Sequence, residues 1–183
     1  MNKLQELRIE KVTLNIGAGK DQKKLEKGMI LIKAITGVDP IKTITNKRIM
    51  GWGLRPGLAI GCKITLRNKQ AMDLIPRLLY AKDNVLDEKQ FDDNGNLSFG
   101  IPEYIDIEGA KYDPKIGVMG LEACITFTKA GYRIKKRRVK TSKIGKKHKA
   151  TKQESIDFMK KNFKIKLGGE EWLQAISKKF SNS

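Results

Sequence analysis

Alternating apolar and polar residues predict three β-strands along the chain. The stretches at residues 8–16, 58–67 and 121–128 each place an apolar side chain at every second position. That two-residue period is typical of a strand with one buried face and one exposed face. A shorter stretch at residues 41–45 predicts a fourth strand.

Apolar side chains spaced three and four residues apart predict the helices. One helix precedes Gly37, which is its expected C-terminal stop. A second begins near Lys69 and contains Pro76, which should kink it. A third opens where Thr151 and Glu154 have the spacing of a capping box.

The strands and helices intermix without regular βαβ repetition, which predicts an α+β fold. We expect a mainly antiparallel sheet with helices packed on one face and the other face exposed. Asn94-Gly95 is typical of a tight hairpin, and the Gly-rich residues 46–57 predict a loop. Residues 1–168 should form a single domain that includes a basic tail at 129–152. A short helical extension is expected at residues 169–183.

The composition excludes several classes of protein. The 183 residues carry 38 Lys and Arg against 20 Asp and Glu, for a net charge of +18, yet 39% are hydrophobic, which excludes a wholly disordered polycation. No apolar run reaches the roughly 18 residues that a membrane-spanning helix needs. No secretory or transit signal is visible, and two cysteines with one histidine cannot close a four-ligand zinc site. We expect a cytoplasmic protein with no membrane partner.

The positive charge is concentrated in separate parts of the chain. Residues 83–113 carry nine acids and two bases, whereas residues 129–152 carry twelve bases and no acid. Residues 40–72 carry seven bases and again no acid. Such runs repel themselves unless a polyanion lies nearby, which favours nucleic-acid binding. A solvated face that only promotes solubility is the alternative.

Motifs for catalysis are weak. The Gly-Ala-Gly-Lys of residues 17–20 fits neither the dinucleotide-binding pattern nor a Walker loop. Asp106, Glu108 and Asp113 could serve a metal-dependent nuclease, but carboxylates so scattered are more often a solvated acidic face. We therefore expect no catalytic residue, no metal, no cofactor and no small-molecule substrate.

Polar residues on the outward side of two predicted strands form a stronger candidate site. If these strands adjoin in one sheet, basic, hydroxyl and amide groups would offer donors for phosphate, 2′-hydroxyl and base edges. The absence of aromatic side chains there favours helical RNA over single strands. An ordinary solvated face is the alternative. The outward residues are Lys11, Thr13 and Asn15 on one strand, and Lys63, Thr65 and Arg67 on the other.

Several motifs in fixed order resemble large-subunit ribosomal protein five, the L-five family. They are IEKVTLNIGAG at residues 9–19, LRPG at 54–57, IGCKITLR at 60–67, GNLSFGI at 95–101 and a basic stretch at 131–148 that is similar to archaeal and eukaryotic members. The resemblance implies an α+β protein that binds 5S rRNA in the central protuberance of the large subunit, without catalysis. It also implies large-subunit rRNA, peptidyl-site tRNA, neighbouring central-protuberance proteins and a small-subunit head protein as partners.

The resemblance assigns residues to three candidate RNA-binding sets. Lys11, Asn15 and Thr65 correspond to family contacts with 5S rRNA, and the full candidate set is Lys11, Thr13, Asn15, Thr43, Lys63, Thr65 and Arg67. The loop expected to reach tRNA contains Asn46, Lys47, Arg48, Trp52 and Arg55. The basic tail, expected to become ordered on assembly, contributes Arg133, Lys135, Lys136, Arg137, Arg138, Lys143, Lys146, Lys147, His148 and Lys149.

Two departures from the family pattern bear on these assignments. Val38 stands where the family commonly has a glutamine that contacts RNA, and Arg55-Pro56-Gly57 replaces the usual basic residue before glycine, which predicts a stiffer loop.

Two other functions stay open on the sequence alone. One is a general nucleic-acid or chromatin-binding protein without preference for 5S rRNA, and the other is a magnesium-dependent nuclease that uses Asp106.

Overall fold

The computed structural model of the chain describes residues 4–168, which form two compact units. The first unit combines residues up to 11 with residues 82–98 and 125–168, and the second combines residues 12–81 and 99–124. Each unit is therefore assembled from segments that are distant in sequence. The predicted extension at residues 169–183 lies outside the described residues.

The predicted strands and helices occur in the predicted order, and further short elements accompany them. The strands are β1 (Leu7–Gly17), β2 (Ile41–Ile44), β3 (Ala59–Leu66), β4 (Val85–Leu86), β5 (Leu97–Ile101), β6 (Leu121–Lys129) and β7 (Lys166–Leu167). The α-helices are α1 (Gln22–Thr36), α2 (Asn68–Tyr80), α3 (Arg133–Lys136) and α4 (Lys152–Phe163).

Five of the strands form one sheet in the order β2-β3-β1-β6-β5. The pairs β1–β3 and β2–β3 are antiparallel, which confirms the predicted α+β fold with a mainly antiparallel sheet. The short strands β4 and β7 make a separate parallel pair that the sequence did not predict. Each of these strands has only two residues, too few for a periodic signal.

The register between β1 and β3 separates apolar from polar residues in the second unit. Leu14 lies opposite Ile64 and Ile16 opposite Cys62, and all four side chains are buried. The intervening residues of both strands point to the opposite face because successive side chains in a strand alternate. The predicted faces of both strands are confirmed.

Helix α1 packs on the buried face of this sheet at Gly28. A Cβ atom at Gly28 would lie 3.1 Å from the Cys62 sulfur and 3.3 Å from the Ile16 Cγ2, so the helix and the sheet are close together there. The Asp21 carboxylate caps the helix N-terminus by accepting from two backbone N–H groups. Gly37 ends the helix in the left-handed conformation with φ 72°, as predicted.

Helix α2 places five apolar residues in the core, and Arg77 links the helix to its neighbours by hydrogen bonds. The guanidinium donates to the Glu108 carbonyl over 2.8 Å and to the Ile35 carbonyl over 3.2 Å. Arg77 therefore joins α2 to the end of α1 and to the segment after β5. Pro76 lies on the exposed side of the helix. The buried residues are Ala71, Leu74, Ile75, Leu78 and Leu79.

Helix α4 packs against β6 within the first unit. The predicted capping box is present, since the Thr151 side chain accepts from the Glu154 N–H and the Glu154 carboxylate accepts from the Thr151 N–H. Phe127 of β6 and Phe158 of α4 meet edge to face with ring centroids 5.6 Å apart. This contact helps anchor the helix that follows the basic tail.

The predicted hairpin at Asn94-Gly95 is also present. The Asp92 N–H donates to the Asn96 carbonyl over 2.9 Å, and Gly95 has φ 80°. A Cβ atom at Gly95 would lie 2.5 Å from the Ser155 hydroxyl, so this turn packs closely on α4.

Within residues 4–168, no helix is long and apolar enough to cross a membrane.

The β1–β3 register makes a specific prediction for Gly61→Ala. The new Cβ atom would lie 2.7 Å from the Ile16 carbonyl oxygen and 2.9 Å from the Thr43 hydroxyl, and the backbone oxygen cannot move without breaking the sheet. We expect a loss of about 1–3 kcal/mol in the free energy of unfolding, measured by urea denaturation. Gly100→Ala on β5 is the control, because nothing lies within 4 Å of its Cβ position. Equal stability of the two variants would contradict the close approach.

Candidate RNA-binding surface

The outward residues of β1 and β3 form one continuous polar face. Thr13 lies directly opposite Thr65, and Asn15 lies directly opposite Lys63. The Lys63 and Thr65 side chains are exposed and those of Thr13 and Asn15 are half-buried, in contrast to the buried apolar residues on either side of them. The structure therefore brings together four of the seven residues of the candidate 5S rRNA set, which the sequence could place only on separate strands.

Thr43 joins this face through the neighbouring strand. It lies opposite Gly61 in the β2–β3 register, and its hydroxyl occupies the space that a side chain at residue 61 would fill. Arg67 follows β3 directly, and its exposed side chain lies at the N-cap position of α2. Lys11 lies in the first unit, where it lines a cleft described below.

Two residues of β6 belong to the polar face and were missed by the sequence analysis. The Asn15 amide donates to the Glu122 carboxylate over 3.4 Å, so an acidic group lies among the basic and hydroxyl groups. Cys124 lies two residues after Glu122 on the same strand. Partial burial and the negative charge of Glu122 both raise the pKa of the Cys124 thiol. Outward alternation in residues 121–128 was the signal that could have identified both residues.

The loop at residues 46–57 projects from the end of β2 as an irregular hairpin. The Thr45 N–H donates to the Leu58 carbonyl at its base, and the backbones of Ile49 and Leu54 exchange two hydrogen bonds of 3.0 Å nearer the tip. Trp52 lies in the single turn of 3-10 helix between these two residues, and 70% of its surface is exposed. The basic residues of the loop (Lys47, Arg48 and Arg55) are also exposed, as is Asn46.

The basic tail begins at an ion pair between a buried lysine and a partly exposed glutamate. Lys129, at the end of β6, is only 4% exposed, and its ammonium donates to the Glu154 carboxylate over 2.7 Å and to the Lys149 carbonyl over 3.2 Å. Partial burial raises the pKa of Glu154, but hydrogen bonds and charge from Lys129 together with the Thr151 N–H outweigh it and lower the pKa overall. Lys129 therefore stabilises the fold and is not available to bind RNA.

Further contacts fold the tail back on the first unit. Lys136 forms an ion pair with Glu10 of β1. The His148 Nε2 lies 2.7 Å from the Ala130 carbonyl, which can only accept, so Nε2 carries a proton and donates. The Tyr132 hydroxyl accepts from the Ala150 N–H over 2.8 Å. The three carboxylates that pair with the acid-free run at residues 129–152 therefore come from elsewhere in the chain, and they belong to Glu10, Glu88 and Glu154.

The remaining cations of the tail face solvent. His148 is half-buried and differs in this from its basic neighbours. The exposed members of the candidate tail set are Arg133, Lys135, Lys136, Arg137, Arg138, Lys143, Lys146, Lys147 and Lys149. All of them except Lys136 are without an ion pair among the described residues, so their charge is available to a polyanion.

The acidic residues considered for a nuclease are not arranged as a metal site. Asp113 accepts from the Lys115 N–H and its own N–H donates to the Tyr104 hydroxyl, so it serves the local turn. Across residues 4–168, no three His, Cys, Asp or Glu side chains converge as metal ligands.

Val38, the departure from the family pattern, is exposed just after α1.

Comparison with known families accounts for both parts of the sequence. Residues 2–55 match the model of ribosomal protein L5, and residues 59–158 match the model of the C-terminus of the same ribosomal family. The chain belongs to the ribosomal protein L5 family. It is therefore a ribosomal protein and a structural constituent rather than an enzyme, which overturns the nuclease alternative.

Relatives across the archaea support this membership over nearly the whole chain. The large ribosomal subunit protein uL5 of Nanoarchaeum equitans is 44% identical over 165 residues, which cover 90% of this chain and 97% of that protein. The uL5 proteins of Sulfurisphaera tokodaii and Methanococcus maripaludis are 40% and 43% identical, over 91% and 85% of this chain and 95% and 88% of their own lengths. The L5 relatives named here are all large-subunit proteins, and the expected family is confirmed.

The ion pair at the base of the L5 tail predicts a pH-dependent effect of Glu154→Gln. The variant leaves the buried Lys129 ammonium without its carboxylate, and we expect a loss of about 1–2 kcal/mol at neutral pH, less than for a fully buried pair because Glu154 is partly exposed to water. Since the folded-state pKa of Glu154 is lowered, its stabilising contribution is present at neutral pH and is lost as the pH falls through that pKa.

Chemical denaturation at several pH values measures this difference. Wild type and Glu154→Gln should converge as the pH falls below the lowered folded-state pKa of Glu154. Glu88→Gln is the control, because Glu88 pairs with Lys152 at an exposed position and should contribute little. A difference between wild type and Glu154→Gln that is constant with pH would contradict the assignment.

Proposed function

We propose that this L5 protein binds 5S rRNA in the central protuberance of the large ribosomal subunit through the polar face of β1 and β3. The observation that carries the proposal is the register, which places Thr13 beside Thr65 and Asn15 beside Lys63. Hydroxyl, amide and ammonium groups then stand at fixed strand spacing. Such a surface offers different hydrogen-bonding groups at successive positions along the strands, whereas lysines alone attract any polyanion.

The chemistry of this face favours helical RNA as the ligand. Lys63 supplies a charge for phosphate, while Thr13, Thr65 and Asn15 supply short polar groups suited to 2′-hydroxyls in the shallow minor groove. No aromatic side chain lies among these paired positions, so stacking of unpaired bases contributes nothing there. Glu122 adds a carboxylate that repels misplaced phosphates and holds the Asn15 amide.

Substitutions on this face test the proposal. The double variant Asn15→Ala/Thr65→Ala should weaken 5S rRNA binding by about tenfold through the loss of two polar contacts, and should leave the salt dependence nearly unchanged because no cation is removed. Filter binding at several salt concentrations measures both quantities.

The matched control removes charge and leaves the face intact. Arg138→Ala/Lys147→Ala deletes two exposed cations of the tail and should weaken all RNAs alike, with a salt slope smaller by about one per cation. If the two double variants affected 5S rRNA and an unrelated RNA equally, the face would only attract charge. A general nucleic-acid binder would then describe the protein better.

We propose that the loop at residues 46–57 contacts tRNA in the peptidyl site. Its tip exposes Trp52 on a hairpin closed by backbone hydrogen bonds, and three exposed basic residues flank it. An exposed indole has no role in the core, and beside cations it suits stacking on a nucleotide.

Trp52→Ala should weaken tRNA binding to large subunits reconstituted with the variant by about fivefold or more, because it removes a stacking surface. Its unfolding free energy should stay within about 0.5 kcal/mol of wild type, because the side chain is exposed. Met50→Ala is the control, since Met50 is similarly exposed at the same tip but has no ring. Unchanged tRNA binding by Trp52→Ala would contradict the role of the loop.

We propose that the remaining surfaces serve assembly of the cytoplasmic ribosome. The exposed cations of the tail suit phosphates of 5S and large-subunit rRNA, and we leave its ordering on assembly as a prediction. The exposed acids Asp92, Asp93, Glu103, Asp106 and Glu108 disfavour RNA and suit basic protein partners. Neighbouring central-protuberance proteins and a small-subunit head protein are the partners that the family resemblance implies.

A further inference from the structure

A cleft of about 800 Å³ opens within the first unit, between the basic tail and the hairpin at Asn94-Gly95. Four segments of the chain line it: β1, the hairpin, the end of β6, and the tail from residue 132 to residue 149. Its volume lies in the range of pockets that bind small organic ligands, roughly 300–1,000 Å³.

The lining of the cleft is strongly cationic. Glu10 is the one carboxylate among the lining residues, and it is paired with Lys136. The other lining ammonium groups are without an ion pair among the residues the structure describes. They belong to Lys11, Lys135, Lys143, Lys146 and Lys149.

The interior of the cleft is not uniformly charged. Tyr132 and Ile144, both half-buried, contribute ring and aliphatic surface, and Thr126, Ser142 and Asn94 contribute hydroxyl and amide groups. Phosphates of a regular duplex could contact the lysines but would leave such an interior unused. An apolar surface with a few polar groups instead suits the ring and edge of a base, while lysines suit the phosphate beside it.

We propose that this cleft binds one unpaired nucleotide of an RNA strand, with its phosphate on the lysines and its base against Tyr132 and Ile144. The inference rests on the proposed function in one respect, that RNA is the ligand. It adds a second mode of recognition, since the paired positions of β1 and β3 suit helical RNA and the cleft suits a base that has left the helix.

Two RNA hairpins that differ by a single bulged nucleotide test the cleft directly. The full chain should bind the bulged hairpin about tenfold more tightly than the fully paired one in fluorescence anisotropy at moderate salt. Lys143→Ala/Lys146→Ala should lose most of this preference. The control Arg138→Ala/Lys147→Ala removes the same charge from tail positions outside the cleft and should keep the preference while weakening both hairpins.

Ile144→Ser provides a second test that removes no charge. It should reduce the preference for the bulge and leave the salt slope and the binding of the paired hairpin unchanged. The inference is overturned if wild type shows no preference for the bulge, or if both cleft variants keep it. Neither result bears on 5S rRNA recognition by the polar face, which the Asn15→Ala/Thr65→Ala measurement decides separately.

Discussion

The antiparallel register of β1 with β3 is the constraint on which the proposed function of this L5 protein depends. Because side chains alternate along a strand, a slip by one residue would exchange every buried side chain of β3 with an exposed one. Cys62 and Ile64 would then face water, and Lys63 and Thr65 would face α1. Burial of the apolar set thus fixes the positions of the polar set. The close contacts at Gly61 and Gly28 add to this, since a Cβ atom would lie 2.7 Å from a backbone oxygen at Gly61 and 3.1 Å from the Cys62 sulfur at Gly28.

The charge of the protein is likewise divided between structure and function. Lys129 and Lys136 are used internally, by Glu154 and Glu10, and these pairs hold the start of the tail against the first unit. The other lysines and arginines of the tail up to Lys149 stay exposed, and Lys152 pairs with Glu88. The net charge of +18 already counts these pairs as neutral, so the pairing does not reduce it. The ion pairs also fix the tail in place. A polycation that is anchored at defined points presents its charge in one place rather than along a free chain, so less conformational entropy is lost when it binds.

The sequence predicts the local features of this fold well, because they depend on neighbours in the chain. Alternation identified the buried faces of β1, β3 and β6, and the capping box at Thr151 identified the start of α4. The features it missed all join distant segments. Glu122 meets Asn15 across 107 positions and Glu10 meets Lys136 across 126, and neither separation leaves a periodic trace. The cleft was missed for the same reason, since its lining lysines were visible only as a charge run.

The binding of 5S rRNA, compared with a tRNA of similar size over a range of salt concentrations, tests the central claim most directly. Screening weakens contacts with phosphate much more than hydrogen bonds at fixed spacing on a rigid sheet. If the polar face of β1 and β3 recognises the shape of 5S rRNA, the preference for 5S rRNA should persist as salt rises and both affinities fall. Equal affinities at low salt, both abolished at high salt, would show that charge alone is at work and would contradict this account.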